Sequence, residues 1–355
     1  MRRFLFILLL SLSGVNTQKT IATSSEESEE GEDRDGDEVT DQTSDNISCG
    51  HLNRSDPSTS LYVNCSNMNL TELTSVSSKP LLGLDLSHNL LTSPGEESLR
   101  ALLGSLSYLD LSYNQINSSG LTEKSFQPEQ GEQSNLTVLN LSHNQINSLP
   151  LNLFSSLHSL QTLDLSFNPF RQLDVNTSLA ISLLGSLQFL DLSGCELGSL
   201  QEAMMSGLSS LRSLDLSDNH LRRVDPAILA CSHLTSLILD NNHLASLNKS
   251  SLQGLHQIHN LSISYNTHLT VIEEDTFSSL VNLEDLRISH NPSLYWIHPN
   301  AWSTERNDTK TEFSLKVLSL NSNNFTYLPS MLLPTFKDWY QIEVSEDYGV
   351  VKCDG

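Results

Sequence analysis

The chain has 355 residues, with 42 acidic against 19 basic side chains and a formal charge of −23. No basic stripe is available to neutralise phosphates, which excludes nucleic acid as a partner and, for the same reason, an anionic membrane surface. Past the first residues, no stretch approaches the roughly 18 consecutive apolar residues of a membrane helix, so no membrane span is predicted in this chain.

The chain opens MRRFLFILLLSLSGVNTQ: two arginines, an apolar run from Phe4 to Leu12, then small and polar residues. That layout predicts a signal peptide over residues 1–17, hence a secreted, extracellular protein. Losing Arg2 and Arg3 takes the charge from −23 to −25. Residues 18–45 hold an acidic tract, with eleven acidic residues between Thr20 and Asn46 against Arg34 alone. So few apolar residues cannot offset chain entropy, and the tract is predicted to be disordered. It reads as a solvated spacer, a lure for cationic partners or a loose calcium binder. Ser24, Ser25 and Ser28 each have Glu two residues on, resembling targets of secretory-pathway kinases.

Cys49 and Cys65 come next, just ahead of a repeat that organises everything after them. Segments such as LLGLDLSHN (from Leu81), LTVLNLSHN (Leu136), LQFLDLSGC (Leu187) and LKVLSLNSN (Leu315) are four of ten that obey L-x-x-L-x-L-x-x-N/C. Their closing residues run from Asn89 to Asn323, mostly 23 to 27 apart, with gaps of 30 and 32 before Leu136 and Leu315. This is the leucine-rich repeat pattern. It predicts an α/β solenoid: a curved horseshoe with a parallel sheet on its concave face and a mostly irregular or short-helical convex side. Each closing Asn should turn inward and satisfy backbone groups. Cys195, which replaces Asn in the fifth repeat, reads as a buried structural thiol, and Cys231 as a small buried residue. Ile146, Leu149 and Phe154 should fill the core behind the sheet, with Phe277 and Trp302 continuing an aromatic spine.

With x-x-I/L-x-x-L-P/x-x-x-x-F after each closing Asn, the repeats resemble those of extracellular leucine-rich repeat proteins. Small leucine-rich proteoglycans, Toll-like receptor ectodomains and Tsukushi-like secreted signalling modulators belong to that group. The resemblance covers about Asn46 to Cys353. It implies an N-terminal cap over residues 46–80 stapled by a Cys49–Cys65 disulfide, repeats over 81–335, and a rudimentary C-terminal cap over 336–355. Such a bridge would contribute on the order of 3 kcal/mol. Trp339 to Val344 can form a last strand. Cys353-Asp354 matches the opening of the family's cap, and a spare thiol there would permit a disulfide-linked dimer.

N-glycosylation sequons begin at Asn46, Asn53, Asn64, Asn69, Asn117, Asn135, Asn140, Asn176, Asn248, Asn260, Asn307 and Asn324. Asn140 and Asn260 should face the concave sheet, where a glycan would block a ligand.

Phosphate loops, HExxH, nucleophile elbows and catalytic triads are all missing from the motifs, so no enzyme and no cofactor is predicted. His88, His143 and His290 are too far apart in the repeats for a metal site, and His256 and His259 lack further ligands. Function is expected on the concave sheet. Its outward column contains Asp85, Asp110, Asp164, Asp191 and Asp215, and a neighbouring column holds Tyr113, Phe167 and Tyr265. On one reading the aspartates only hydrogen-bond to neighbouring strands, since LDLS is the commonest form of the repeat. On the other, the acidic and aromatic columns bind a basic extracellular ligand or receptor. Resemblance then offers three roles: growth-factor modulator, innate-immune pattern-recognition co-receptor, or acidic matrix protein.

Overall fold

A computed structural model describes residues 50–52, 61–73, 80–129, 133–302, 314–325 and 342–343. All fall in one compact unit, Asn46–Gly355. The expected signal peptide and acidic segment, Cys49, Cys353, and the sequons at Asn46, Asn53 and Asn307 lie outside the described residues.

Alternation in L-x-L puts successive side chains on opposite faces, and each such segment forms a three- to five-residue strand. These are β3 (Leu81–Asp85), β4 (Tyr108–Asp110), β5 (Val138–Asn140), β6 (Thr162–Asp164), β7 (Phe189–Asp191), β8 (Ser213–Asp215), β9 (Ser236–Ile238), β11 (Asn260–Ser262), β13 (Asp285–Arg287) and β15 (Val317–Ser319). They pair in parallel in one sheet, with every repeat in the same register. At one end β2 (Leu61–Asn64) joins in parallel and β1 (Gly50–Leu52) pairs antiparallel to it, covering the first coil. At the other end the expected last strand is β16 (Ile342–Glu343), parallel to β15.

Inward leucines of the strands are fully buried, Leu84, Leu109, Leu139, Leu163 and Leu214 among them. The closing asparagines tie each coil to the one before. Asn114 Nδ2 donates to Leu86 O at 3.0 Å and to Leu111 O at 3.0 Å, while its Oδ1 accepts from Leu91 N at 3.0 Å. Asn219 does the same with Leu192 O, Leu216 O and Leu197 N. Cys195 is fully buried and free, and donates to Leu165 O at 3.3 Å. A thiol cannot accept as an amide oxygen does, and the loop adjusts: Phe170 N–H turns to Asn168 O at 2.8 Å. Burial pushes the Cys195 thiol up to about 12 and that of Cys231, also buried and free, up to about 11, so both are inert at neutral pH.

Behind the sheet, Phe126 and Phe154 stack at 6.2 Å and Phe277 packs on Trp302 at 4.7 Å. Between these pairs the same position carries buried Ile181, Met205, Ile228 and Leu252, so the expected aromatic spine exists only in two sections. The convex side holds short helices α1 (Glu96–Arg100), α2 (Val175–Ser182), α3 (Glu202–Gly207) and α4 (Lys249–Leu252). It also carries a second parallel sheet of β10 (Ser246–Leu247), β12 (Val271–Ile272) and β14 (Trp296–Ile297), an element the repeat pattern did not predict.

Candidate protein-binding face

In-register pairing aligns Asp85, Asp110, Asn140, Asp164, Asp191 and Asp215 on adjacent strands, about 4.8 Å apart. Each side chain accepts the backbone N–H of the residue two further along its own strand. Ser112 N reaches Asp110 Oδ1 at 2.9 Å, Ser166 N reaches Asp164 at 2.9 Å, and Ser193 N reaches Asp191 at 2.8 Å. Ser166 Oγ adds a bond to Asp164 at 2.6 Å and Ser217 Oγ one to Asp215 at 2.7 Å. The aspartates therefore cap the bend at the end of their own strand. Asn140 shows that the cap needs only a carbonyl oxygen: it accepts from Ser142 N at 2.9 Å and donates to Asp110 Oδ2 at 3.3 Å.

Packing these carboxyls side by side has an electrostatic consequence. Burial, and then the neighbouring carboxylate, raise Asp191 to about 6 and Asp215 to about 7. Asp110 and Asp164 are raised too, chiefly by burial. Asp191 and Asp215 thus exchange protons close to neutral pH, and a cation placed against them draws protons off.

Three residues beyond each aspartate lies a position with left-handed backbone. His88, Tyr113, His143 and Phe167 occupy it on successive repeats with φ of 53–55°. Because strand spacing is close to ring-stacking distance, their rings stack face to face at 4.2, 4.0 and 4.4 Å, tilted by 7–13°. The stack ends at Gly194: a Cβ there would lie 2.5 Å from Phe167 Cδ1. Burial, and then His88, lower the His143 pKa, which favours the neutral imidazole. Stacking hides the ring faces and presents their edges, with Tyr113 40% exposed.

The leucine rich repeat family profile matches residues 124–170, 180–231 and 232–292, and a second profile of the same repeat matches 105–123. The chain belongs to the leucine-rich repeat family. Within that family it is 33% identical over 148 residues to the transforming growth factor beta activator LRRC33 of Danio rerio, covering 41% of this chain and 18% of that protein. It is 31% identical to the CD180 antigen of Mus musculus, covering 32% of this chain and 17% of that protein. Human vasorin is 37% identical over 30% of this chain and 16% of its own length. The chain thus spans less than a fifth of the length of these relatives. Its fold matches a chain of the Drosophila Toll–Spatzle complex with a TM-score of 0.55 at 25% identity, over 75% of this chain and 38% of that one.

The repeat geometry brings seven of the eight expected contact residues together: the five aspartates, Tyr113 and Phe167. Tyr265 stands apart. Gly194, Asp218 and Asn241 occupy the intervening repeats of its column, and it pairs instead with His290 at 4.6 Å. Reading the residue inside L-x-L and the columns after it missed the column two positions earlier, although a strand period of 2 puts it on the same face. That column carries Tyr62, lying over Gly83, then Tyr108, Val138, Thr162 and Phe189. Tyr108 OH donates to Asp110 Oδ2 at 3.0 Å. Where Ile238 interrupts the acidic column, Asp240 takes over, accepting from Ser262 Oγ and Ser264 N on the next coil.

Cys65 is disulfide-bonded and fully buried. Among the described sequons, Asn260 is exposed on the sheet whereas Asn140 is half-buried. No group of three or more His, Cys, Asp or Glu among the described residues is placed to hold a metal ion. Nor is any helix among them long and apolar enough to cross a membrane.

Proposed function

We propose that this chain is an extracellular protein-binding module, not an enzyme, that modulates signalling by holding a basic growth factor or its receptor. The partner would lie on the sheet of the first six repeats. One observation carries this reading: the carboxyls of Asp85, Asp110, Asp164, Asp191 and Asp215, none of them in an ion pair among the described residues, run beside the edges of a stacked aromatic column at Tyr113 and Phe167. Aromatic edges and phenol hydroxyls are the usual anchors of protein interfaces, and the acid supplies charge complementarity. On the far half of the sheet two acids are already ion-paired, Asp285 with Arg287 at 2.9 Å and Glu284 with Lys316 at 2.7 Å. Likeness to a transforming growth factor beta activator and to a chain of the Toll–Spatzle complex supports a protein ligand.

The test starts with co-purification from conditioned medium and then measures affinity for the protein recovered. Asp164→Asn with Asp191→Asn keeps both strand-end caps, as Asn140 does, and removes only charge. Affinity should fall about tenfold, roughly 1.4 kcal/mol. Unchanged affinity sinks the reading. Recovery of a microbial lipid or glycan instead would favour a pattern-recognition role.

A further inference from the structure

Across the described residues, Leu90, Val175, Leu179 and Leu183 are the exposed large aliphatic side chains, and three of the four sit on α2 or at its C-terminal end. Val175 is 70%, Leu179 37% and Leu183 52% exposed. At spacings of four they form one stripe along the helix. The opposite side is anchored: Thr177, Ser178, Ala180 and Ile181 are buried. Leu149 N donates to Thr177 Oγ1 at 2.8 Å, tying the helix to the preceding coil. Asp174 caps the helix by accepting from Thr177 N at 2.7 Å. The stripe is therefore held rigidly outward, on the side away from the sheet.

Asn176 begins the sequon Asn176-Thr177-Ser178 and is itself exposed. At about 100° per residue it falls on the same outward face, three residues from Leu179 and seven from Leu183. Ser178, whose hydroxyl completes the sequon, is 2% exposed, and its Oγ has no hydrogen-bond partner among the described residues. Its hydroxyl thus contributes no hydrogen bond to the fold that would account for it, whereas the sequon requires a hydroxyl at this position.

We propose that Asn176 is N-glycosylated and that the inner sugars of this glycan are the cover of the Val175–Leu179–Leu183 stripe. The bond formed is between Asn176 Nδ2 and the first N-acetylglucosamine, transferred from a lipid-linked oligosaccharide donor as the lipid pyrophosphate leaves. Sugar rings present C–H faces that shield aliphatic side chains while their hydroxyls face water. The proposal rests on entry of the chain into the secretory pathway, and the experiment separates the two.

The full chain, secreted from cultured animal cells, is treated with peptide N-glycosidase in heavy-oxygen water and analysed by peptide mass spectrometry. Asn176 should appear as labelled Asp. A secreted chain with Asn176 unmodified overturns the proposal alone, whereas failure of the chain to reach the medium overturns it together with the export reading. Ser178→Ala then removes the glycan without costing a hydrogen bond. That variant should lose monomer on light-scattering chromatography and gain binding of an apolar dye. Adding Leu179→Gln and Leu183→Gln to Ser178→Ala should restore the monomer. A Ser178→Ala protein that stays monomeric and binds no more dye than the parent overturns the covering role.

Discussion

Most closing asparagines satisfy at least one loop N–H and two carbonyls that burial would otherwise strand, whereas Asn291 accepts from Asn266 N and its buried Nδ2 has no hydrogen-bond partner among the described residues. Asn219 illustrates the scale, being 2% exposed with Leu197 N, Leu192 O and Leu216 O as partners. Asn219→Ala should cost about 2–3 kcal/mol, because it leaves buried polar groups unpaired. Urea denaturation followed by circular dichroism reads that loss. Asp215 makes the opposite case. Its carboxyl, raised to about 7, holds a proton in the folded chain that the unfolded chain, near 3.8, has already released. Between those values stability falls as pH rises. Asp215→Asn keeps the acceptor for Ser217 N and removes the repelled charge. It should stabilise the protein by on the order of 1–2 kcal/mol at pH 8, fading to nothing near pH 4. A thermal denaturation series across that range checks both the sign and the window.

Strands, ladder and core were legible in the sequence because one repeated pattern sets them: a period of 2 for the strand and a fixed offset for the asparagine. Convex elements were less so. Nothing in L-x-x-L-x-L distinguishes a coil that returns through a helix such as α2 from one that returns through a strand such as β12. The ring stack was half legible. His88, Tyr113, His143 and Phe167 share a column on the page, but their contact follows from strand spacing and from a left-handed backbone that residue types alone do not announce. For the aspartates, both sequence readings caught something: they hydrogen-bond mainly to their own strand end, Asp110 also accepts from Asn140 on the next strand, and they still form an acidic row. Gly194 controls the end of the stack, with φ of 62° and Phe167 over its Cα. Gly194→Ala should cost about 1–3 kcal/mol and shift the Phe167 ring resonances, as thermal denaturation and aromatic NMR would show.

At the scale of the whole unit, every repeat touches only its neighbours, so sheet and core are laid down coil by coil and side chains in one column act together. The consequence is an uneven face: an acidic, aromatic N-terminal half and a C-terminal half in which Asp285 and Glu284 are ion-paired. Titration of the column links binding to pH. A basic partner favours the ionised carboxyls, so its capture releases protons, and affinity should fall between pH 7.5 and 5.5 as Asp191 and Asp215 take protons up. Isothermal titration calorimetry in two buffers of different ionisation enthalpy would register the protons released.

Under the proposed function the partner would sit on the N-terminal half of the sheet. Tyr113 and Tyr265 occupy equivalent left-handed positions, at 40% and 51% exposure, but only Tyr113 lies within the stack beside the acidic column. The direct measurement is the dissociation constant of the isolated partner for Tyr113→Ala and for Tyr265→Ala, each in the full-length protein. Tyr113→Ala should weaken binding about tenfold or more while Tyr265→Ala leaves it within about twofold. Equal losses, or a larger loss at Tyr265, would contradict the account.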